Sequence, residues 1–302
     1  MRLSLAAAMV AIAVGILSAQ QDVPQVTFKS SVNLVSVAVV VRDGDGRFIK
    51  GLKAEDFEIA DNGKVRPIVQ FQSGEAADAR LALLVDSSGS MVVGAKRDRV
   101  QLAAHLLVSG FADQDEATVF GFDSSLRRLT PFTRDAGELR SAVSSLVPFG
   151  ETCMYDAIVD TIRSVETEAP RARAVVLLTD GVDTASVHNV QDAASAAAAL
   201  DIPVYALGVD DFNERPRFVD RTLVDDNATV NLAELARRTG GTATEANSVA
   251  QLSIATRSIL TELHHQYMMA FAAGTQPGWH PLTVRVRKGR AVARSRDGYL
   301  VH

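Results

Sequence analysis

Five side chains from three separate stretches carry oxygen where a hard cation could be held. "LLVDSSGSM" (83–91) supplies Asp86, Ser88 and Ser90, "FGETCMYDAI" (149–158) supplies Thr152, and "VVLLTDG" (175–181) supplies Asp180. None of the five offers sulfur or imidazole. An all-oxygen shell suits Mg²⁺, with Mn²⁺ or Ca²⁺ as alternatives. Taken singly, each residue has a plainer use. Asp86, Ser88 or Ser90 alone is a helix N-cap, and Asp180 alone is a turn former in Thr-Asp-Gly. An N-cap needs only one such side chain, so the surplus of oxygen after Val85 is what calls for explanation.

The elements that must position these residues are legible in the apolar pattern. Continuous apolar runs at 81–86, 116–123, 173–181 and 202–210 read as buried strands. They alternate with helical patterns at 94–111, 135–146, 154–168, 190–200 and 232–241. Buried strands separated by helices imply a largely parallel sheet covered on both faces. In such sheets ligands gather beyond the carboxyl ends of the strands. Asp86 and Asp180 each end a strand, and Thr152 sits in a loop just before a helix, so all five residues can converge on one edge. A helix is expected to start near Met91, its N-terminal positive end facing that edge. The charged stretch 210–228 breaks the rhythm and reads as a long surface loop.

On both sides of the α/β stretch the pattern is that of antiparallel sheet. "VNLVSVAVVV" (32–41) runs into the turn signal "RDGDGR", and Asn62-Gly63 marks a two-residue hairpin. In "LTVRVRK" (282–288) Leu282, Val284 and Val286 alternate with Thr283, Arg285 and Arg287. "SGEAADA" (73–79) is small and polar, a linker, and 248–266 is a long helix joining the two kinds of structure. The expected fold class is therefore α/β, a doubly wound, mostly parallel sheet inserted in a small antiparallel β domain formed by both chain ends. The expected divisions are an N-terminal β segment over 21–76, the α/β domain over 77–263, and a C-terminal β segment over 264–302 packing with the first.

Composition narrows the function classes. Of the 302 residues, 47% are hydrophobic and 22% charged, an ordinary balance with ample core. The formal charge is −5 with no basic block, which argues against nucleic acid as a partner. Arg2, the apolar run 3–17 and the small-residue exit Ser18-Ala19-Gln20 read as a secretory signal peptide over 1–20, too short for a membrane span. The expected location is secreted, periplasmic or cell-envelope. The single Cys, Cys153, precludes an internal disulfide.

Other reactive groups are read conservatively. Cys153 lacks a base that the sequence brings close, since His105 and His188 lie in or near predicted helices, and packing is the better reading. His264 and His265 are consecutive in a helix and point different ways. Asp43 and Asp45 suggest a turn, because Arg47 stands where a calcium loop needs a third oxygen donor. Asp156, four residues beyond Thr152, either orients the loop or caps the helix. The chain offers no Gly-Lys-Ser/Thr phosphate loop and no Gly-x-Ser-x-Gly elbow. Ser88 stands where an aspartate-nucleophile phosphatase wants its second acid. The chain is therefore not expected to be an enzyme.

"DSSGS", "GETCMYDAI" and "LLTDG" in that order resemble the metal-ion-dependent adhesion site of von Willebrand factor type A domains. The resemblance covers roughly 77–263 and is specific, because three separated motifs must agree. Residues 32–68 and 285–299 are similar to the flanks of bacterial exported proteins of this type. The resemblance implies a divalent cation, Mg²⁺ first, bound directly by Ser88 and Ser90 and by Thr152 in one conformation. Asp86 and Asp180 often act through water in this family. It also implies that the ion bridges to an acidic residue of a partner protein, and that the Thr152 loop and last helices shift between affinity states. Two rivals are an exported structural or envelope-assembly protein with a vestigial metal site and, further off, a metal-dependent hydrolase.

Overall fold

The computed structural model describes residues 34–73, 78–93, 95–165, 172–209, 226–287 and 289–301. The expected signal peptide, most of the 73–79 linker and most of the 210–228 stretch lie outside the described residues.

The first part of the chain forms β1 (Leu34–Arg42), β2 (Phe57–Asp61), β3 (Lys64–Arg66) and β4 (Ile68–Ser73). The β2–β3 hairpin turns on Asn62 and Gly63, with φ of 48° and 76°. Both central residues of a type I′ turn need positive φ, which Asn-Gly tolerates at little cost. Asp43 makes an ordinary turn, its Oδ1 accepting from the N–H groups of Asp45 and Arg47.

The middle of the chain builds β5 (Ala79–Asp86), α1 (Lys96–Ser109), β6 (Glu116–Phe122), β7 (Leu126–Arg128), α2 (Ala136–Ser144), α3 (Met154–Ser164), β8 (Ala172–Thr179), α4 (Val190–Ala199), β9 (Val204–Val209), α5 (Asp226–Thr239), β10 (Ala243–Ala246) and α6 (Val249–Leu263). One six-stranded sheet results, in the order β10-β9-β8-β5-β6-β7, parallel throughout except for β7. The apolar runs are continuous because alternate residues feed two layers. Leu81, Leu83 and Val85 pack against α1, α2 and α6, while Ala82 and Leu84 pack against α3, α4 and α5. The sheet is thus doubly wound. Helix α5 begins at Asp226, so the end of the expected loop is helical.

The last part forms β11 (Tyr267–Ala272), β12 (Gly278–Val286), β13 (Val292–Arg294) and β14 (Gly298–Val301). They join the first four strands as two antiparallel four-stranded sheets, β13-β1-β11-β4 and β14-β12-β2-β3. A single apolar core lies between them, contributed by Val37, Val39 and Phe57 from one chain end and Tyr267, Phe271, Leu282 and Tyr299 from the other. In β12, Leu282 and Val284 are buried while Thr283 and Arg285 are exposed, as the alternation predicts. Glu262 of α6 fastens the α/β part to this sandwich. It is buried and ion-paired to Arg42 of β1 at 2.8 Å and to Arg294 of β13.

Candidate metal centre

Strands β5 and β8 are neighbours, so their carboxyl ends deliver Asp86 and Asp180 side by side. Asp86 is only 3% exposed. Its Oδ1 accepts from the Ser88 N–H at 2.9 Å and its Oδ2 from the Thr179 hydroxyl at 2.6 Å. Burial pushes this carboxyl up, the nearby Asp180 charge pushes the same way, and the hydrogen bonds pull back. The net position is about 6. A carboxylate held this way is electrostatically short of positive charge.

Ser88 and Ser90 face each other, their hydroxyl oxygens 3.0 Å apart. Residues Gly89–Val92 form a single 3₁₀ turn, and the Ser88 hydroxyl makes no capping bond to it. The surplus hydroxyls are therefore not consumed as N-caps. The helix expected to start near Met91 starts instead at Lys96, after an uncapped Ala95. Two successive β-branched residues, Val92 and Val93, do not favour continuing a helix, and the backbone leaves the turn extended at Val93. The positive group that α1 brings to the site is a side chain. Lys96 Nζ donates to Asp180 Oδ2 at 2.9 Å.

Asp180 has its other oxygen unspent. Oδ1 is buried and makes no hydrogen bond. The turn after it is set by Thr179, whose Oγ1 accepts from the Gly181 N–H at 3.0 Å while its hydroxyl serves Asp86.

Backbone bonds tie the Thr152 loop to the serine loop. The Phe149 N–H donates to Ser87 O at 2.8 Å and the Gly89 N–H to Gly150 O at 2.9 Å. Glycine eases this approach at both positions. Gly150 has φ of +77°, and a Cβ on Gly89 would stand 3.1 Å from Gly150 O. Thr152 itself is buried; its N–H donates to Thr184 Oγ1 at 2.9 Å and its carbonyl accepts from the Thr184 and Ala185 N–H groups. The three loops thus form one hydrogen-bonded rim.

Asp156 orients a loop other than the one that carries Thr152: it holds the loop after β8. Its carboxylate accepts from the N–H groups of Val187 and His188 and pairs with His188 Nδ1 at 2.6 Å. Burial works against that charge, but the backbone donors outweigh it and hold the carboxyl below its usual range. The N-terminus of α3 is capped from outside by Asp183, whose Oδ2 accepts from the Met154 N–H at 2.7 Å. Burial and the surrounding Asp156, Asp183, Glu151 and Asp123 charges push the Cys153 thiol up, which is the opposite of what a nucleophile needs. His264 is engaged with Asp115 at 3.0 Å, and His265 bonds back to Thr261 O and stacks on Phe48.

The donor set fits a hard cation. Among the described residues no group of three or more His, Cys, Asp or Glu side chains gathers to hold a metal by itself. Here two adjacent carboxylates stand with the facing Ser88 and Ser90 hydroxyls and the Thr179 hydroxyl, and one buried carboxylate oxygen lacks any partner. Sequence reasoning missed Thr179, Lys96, Asp183 and Thr184. The dense "TDGVDTAS" run was a signal for three of them, whereas nothing marked Lys96.

Residues 81–182 match the family model of the von Willebrand factor type A domain. No curated protein matches the chain. Among solved structures, the conserved hypothetical protein BatB from Bacteroides thetaiotaomicron is similar at a TM-score of 0.50 and 19% identity, over 61% of this chain and 98% of that one. An aerotolerance-related membrane protein from Bacteroides fragilis is similar at 0.50 and 20%, over 61% and 98%. A von Willebrand factor type A protein from Catenulispora acidiphila is similar at 0.51 and 13%, over 90% of this chain and 75% of that one. The α/β part of the chain therefore has the von Willebrand factor type A fold. No helix among the described residues is long and apolar enough to cross a membrane.

Proposed function

We propose that this chain is an exported, cation-dependent protein-binding module of the adhesion type, not an enzyme. Asp86, Ser88, Ser90, Thr152 and Asp180 hold a divalent ion, Mg²⁺ first and Mn²⁺ or Ca²⁺ as alternatives. The ion bridges to an acidic residue of a partner protein. The observation that carries this reading is the unpartnered, buried Oδ1 of Asp180 next to a second buried carboxylate, Asp86. Leaving a buried charged oxygen without a partner is costly, and a hard cation removes that cost. When bound, the ion would supply a Lewis-acidic centre on this edge, able to take one further oxygen ligand. The chain's own part is to hold the donors in place through Thr179, the Ser88 amide and the loop-to-loop backbone bonds.

Export rests on the N-terminal pattern of Arg2 and the apolar run 3–17, and it agrees with the membrane-protein description of one structural neighbour. A second reading, a structural protein with a vestigial site, is favoured by one observation. Lys96 already gives Asp180 a cationic partner. Calorimetric titration with Mg²⁺ and Mn²⁺ separates the two. Binding that disappears in Asp86→Ala and Asp180→Ala supports the module, and no binding by the native chain supports the structural protein. A pull-down from envelope extract, run in Mg²⁺ and in EDTA, then finds the partner.

A further inference from the structure

A carboxylate can give an ion one oxygen or both, and that choice separates the hard cations. Ca²⁺ takes about six to eight oxygens and often uses both from one carboxylate. Mg²⁺ takes about six in an octahedron, draws on one or two carboxylates and keeps several waters. On this edge, among the described residues, no carboxylate that the fold holds in place has both oxygens open. Asp86 accepts on one oxygen from the Ser88 N–H and on the other from the Thr179 hydroxyl. Asp180 has Oδ1 unspent, but Lys96 Nζ donates to its Oδ2 at 2.9 Å. Around the Thr152 loop, Asp123 accepts from the Ser125 N–H and from Arg127 on separate oxygens. Asp156 does so from the Val187 and His188 N–H groups, and Asp183 from the Ser186 and Met154 N–H groups. Glu151 is exposed on the rim. The charges of these acids attract either dication alike, so they do not choose between Mg²⁺ and Ca²⁺.

We propose that Lys96 sets which dication the centre accepts: by holding Asp180 Oδ2 it leaves that carboxylate one oxygen to give, which admits Mg²⁺ and Mn²⁺ and disfavours Ca²⁺. The inference rests on the cation-binding reading above and deepens it. The pair is held in place. The Lys96 side chain is 21% exposed and that of Asp180 5% exposed, and Lys96 is the first residue of α1, so its stem leaves from helical backbone. A charge-assisted bond of this kind is among the stronger ones. Two properties of the ammonium then act differently. Its charge repels both dications and lowers both affinities together. Its hydrogen bond closes one carboxylate oxygen, and that loss falls on the ion that uses both. Removing the ammonium opens the two Asp180 oxygens at once, the arrangement Ca²⁺ takes. Asp86 cannot supply that arrangement while Ser88 and Thr179 hold it.

The test is calorimetric titration of the mature chain with Mg²⁺ and, separately, with Ca²⁺, using the native protein, Lys96→Met and Lys96→Arg. Melting curves in EDTA establish that each is folded at the titration temperature. The native chain should bind Mg²⁺ about tenfold or more tightly than Ca²⁺. Lys96→Met should shift that ratio toward Ca²⁺ by about tenfold or more. Lys96→Arg, which still donates to the carboxylate, should keep the native preference. A native chain that binds Ca²⁺ as tightly as Mg²⁺ overturns the inference, and that result needs no variant. A Lys96→Met chain whose two affinities rise together also overturns it, because the charge of Lys96 is then all that counts. So does a Lys96→Arg chain that behaves like Lys96→Met. In each of these cases native Mg²⁺ binding leaves the cation reading standing, whereas a native chain that binds neither ion removes both.

Discussion

Asp86→Asn should make the metal-free protein more stable while removing its response to Mg²⁺. The Asp86 carboxyl is raised from 3.8 to about 6 in the folded chain, chiefly by burial. The unfolded chain therefore gives up this proton first, and stability falls as pH rises from about 3.8 through 6, then levels off. That rise corresponds to about 3 kcal/mol held against the fold at pH 7.5 in chelator. Asn is the nearest neutral analogue. It keeps an oxygen for the Ser88 N–H but presents an NH₂ group where the Thr179 hydroxyl donates, which costs about 1 kcal/mol. The net gain is about 2 kcal/mol, or a rise in Tm of about 4–8 °C for a domain of this size. In the native chain Mg²⁺ at ~100 times its Kd should restore about 2.7 kcal/mol, and in the variant nothing. Thermal melts in EDTA and in Mg²⁺ measure both. A variant less stable than the native chain in EDTA would refute the reasoning, because the buried carboxylate would then be a support of the fold and not a strain on it.

Lys96→Met should cost about 2 kcal/mol in EDTA, between surface and buried ion-pair values, because Asp180 is left buried and unpaired. Mg²⁺ should recover most of that loss, and Asp180→Asn should suppress it in a double-mutant cycle by urea unfolding. Glu262→Gln should cost about 3 kcal/mol and expose β13 to faster amide exchange, since Arg42 and Arg294 both lose their acid. The same variant tests whether α6 passes any shift between sandwich and metal edge, through a change in Mg²⁺ affinity. The pairs His264–Asp115 and His280–Asp61 give a pH signature. Hydrogen bonding to the partner carboxylate raises both histidines above 6.5; burial pushes the two aspartates up, but their histidine and other donors hold them below 3.8. The histidine contribution is complete below 6.5 and is lost as pH rises through the raised values. The aspartate contribution is complete above 3.8 and is lost as pH falls below it. Urea midpoints should therefore decline above pH 6.5 less steeply in His264→Asn/His280→Asn than in the native chain.

Some of this was written locally. The continuous apolar runs fixed a doubly wound sheet, because a strand buried on both faces has no polar side to show, and β5 with its two alternating layers bears that out. Asn62-Gly63 and the alternation in β12 fixed a hairpin and a half-buried strand by backbone sterics and period alone. Asp86 and Asp180 were legible as strand-end acids at one edge, since parallel neighbours must end together. Other features depend on residues far apart in the chain. The helix expected at Met91 became a 3₁₀ turn, the Lys96 ammonium reached Asp180 across 84 positions, and Thr179 became the support of Asp86 across 93. Periodicity reports which face of an element is apolar, and motif spacing reports which oxygens share an edge. Which donor meets which oxygen, and which oxygen is left over, is settled only when the loops are folded against one another, because a hydrogen bond is decided within a few tenths of an ångström that no local pattern encodes.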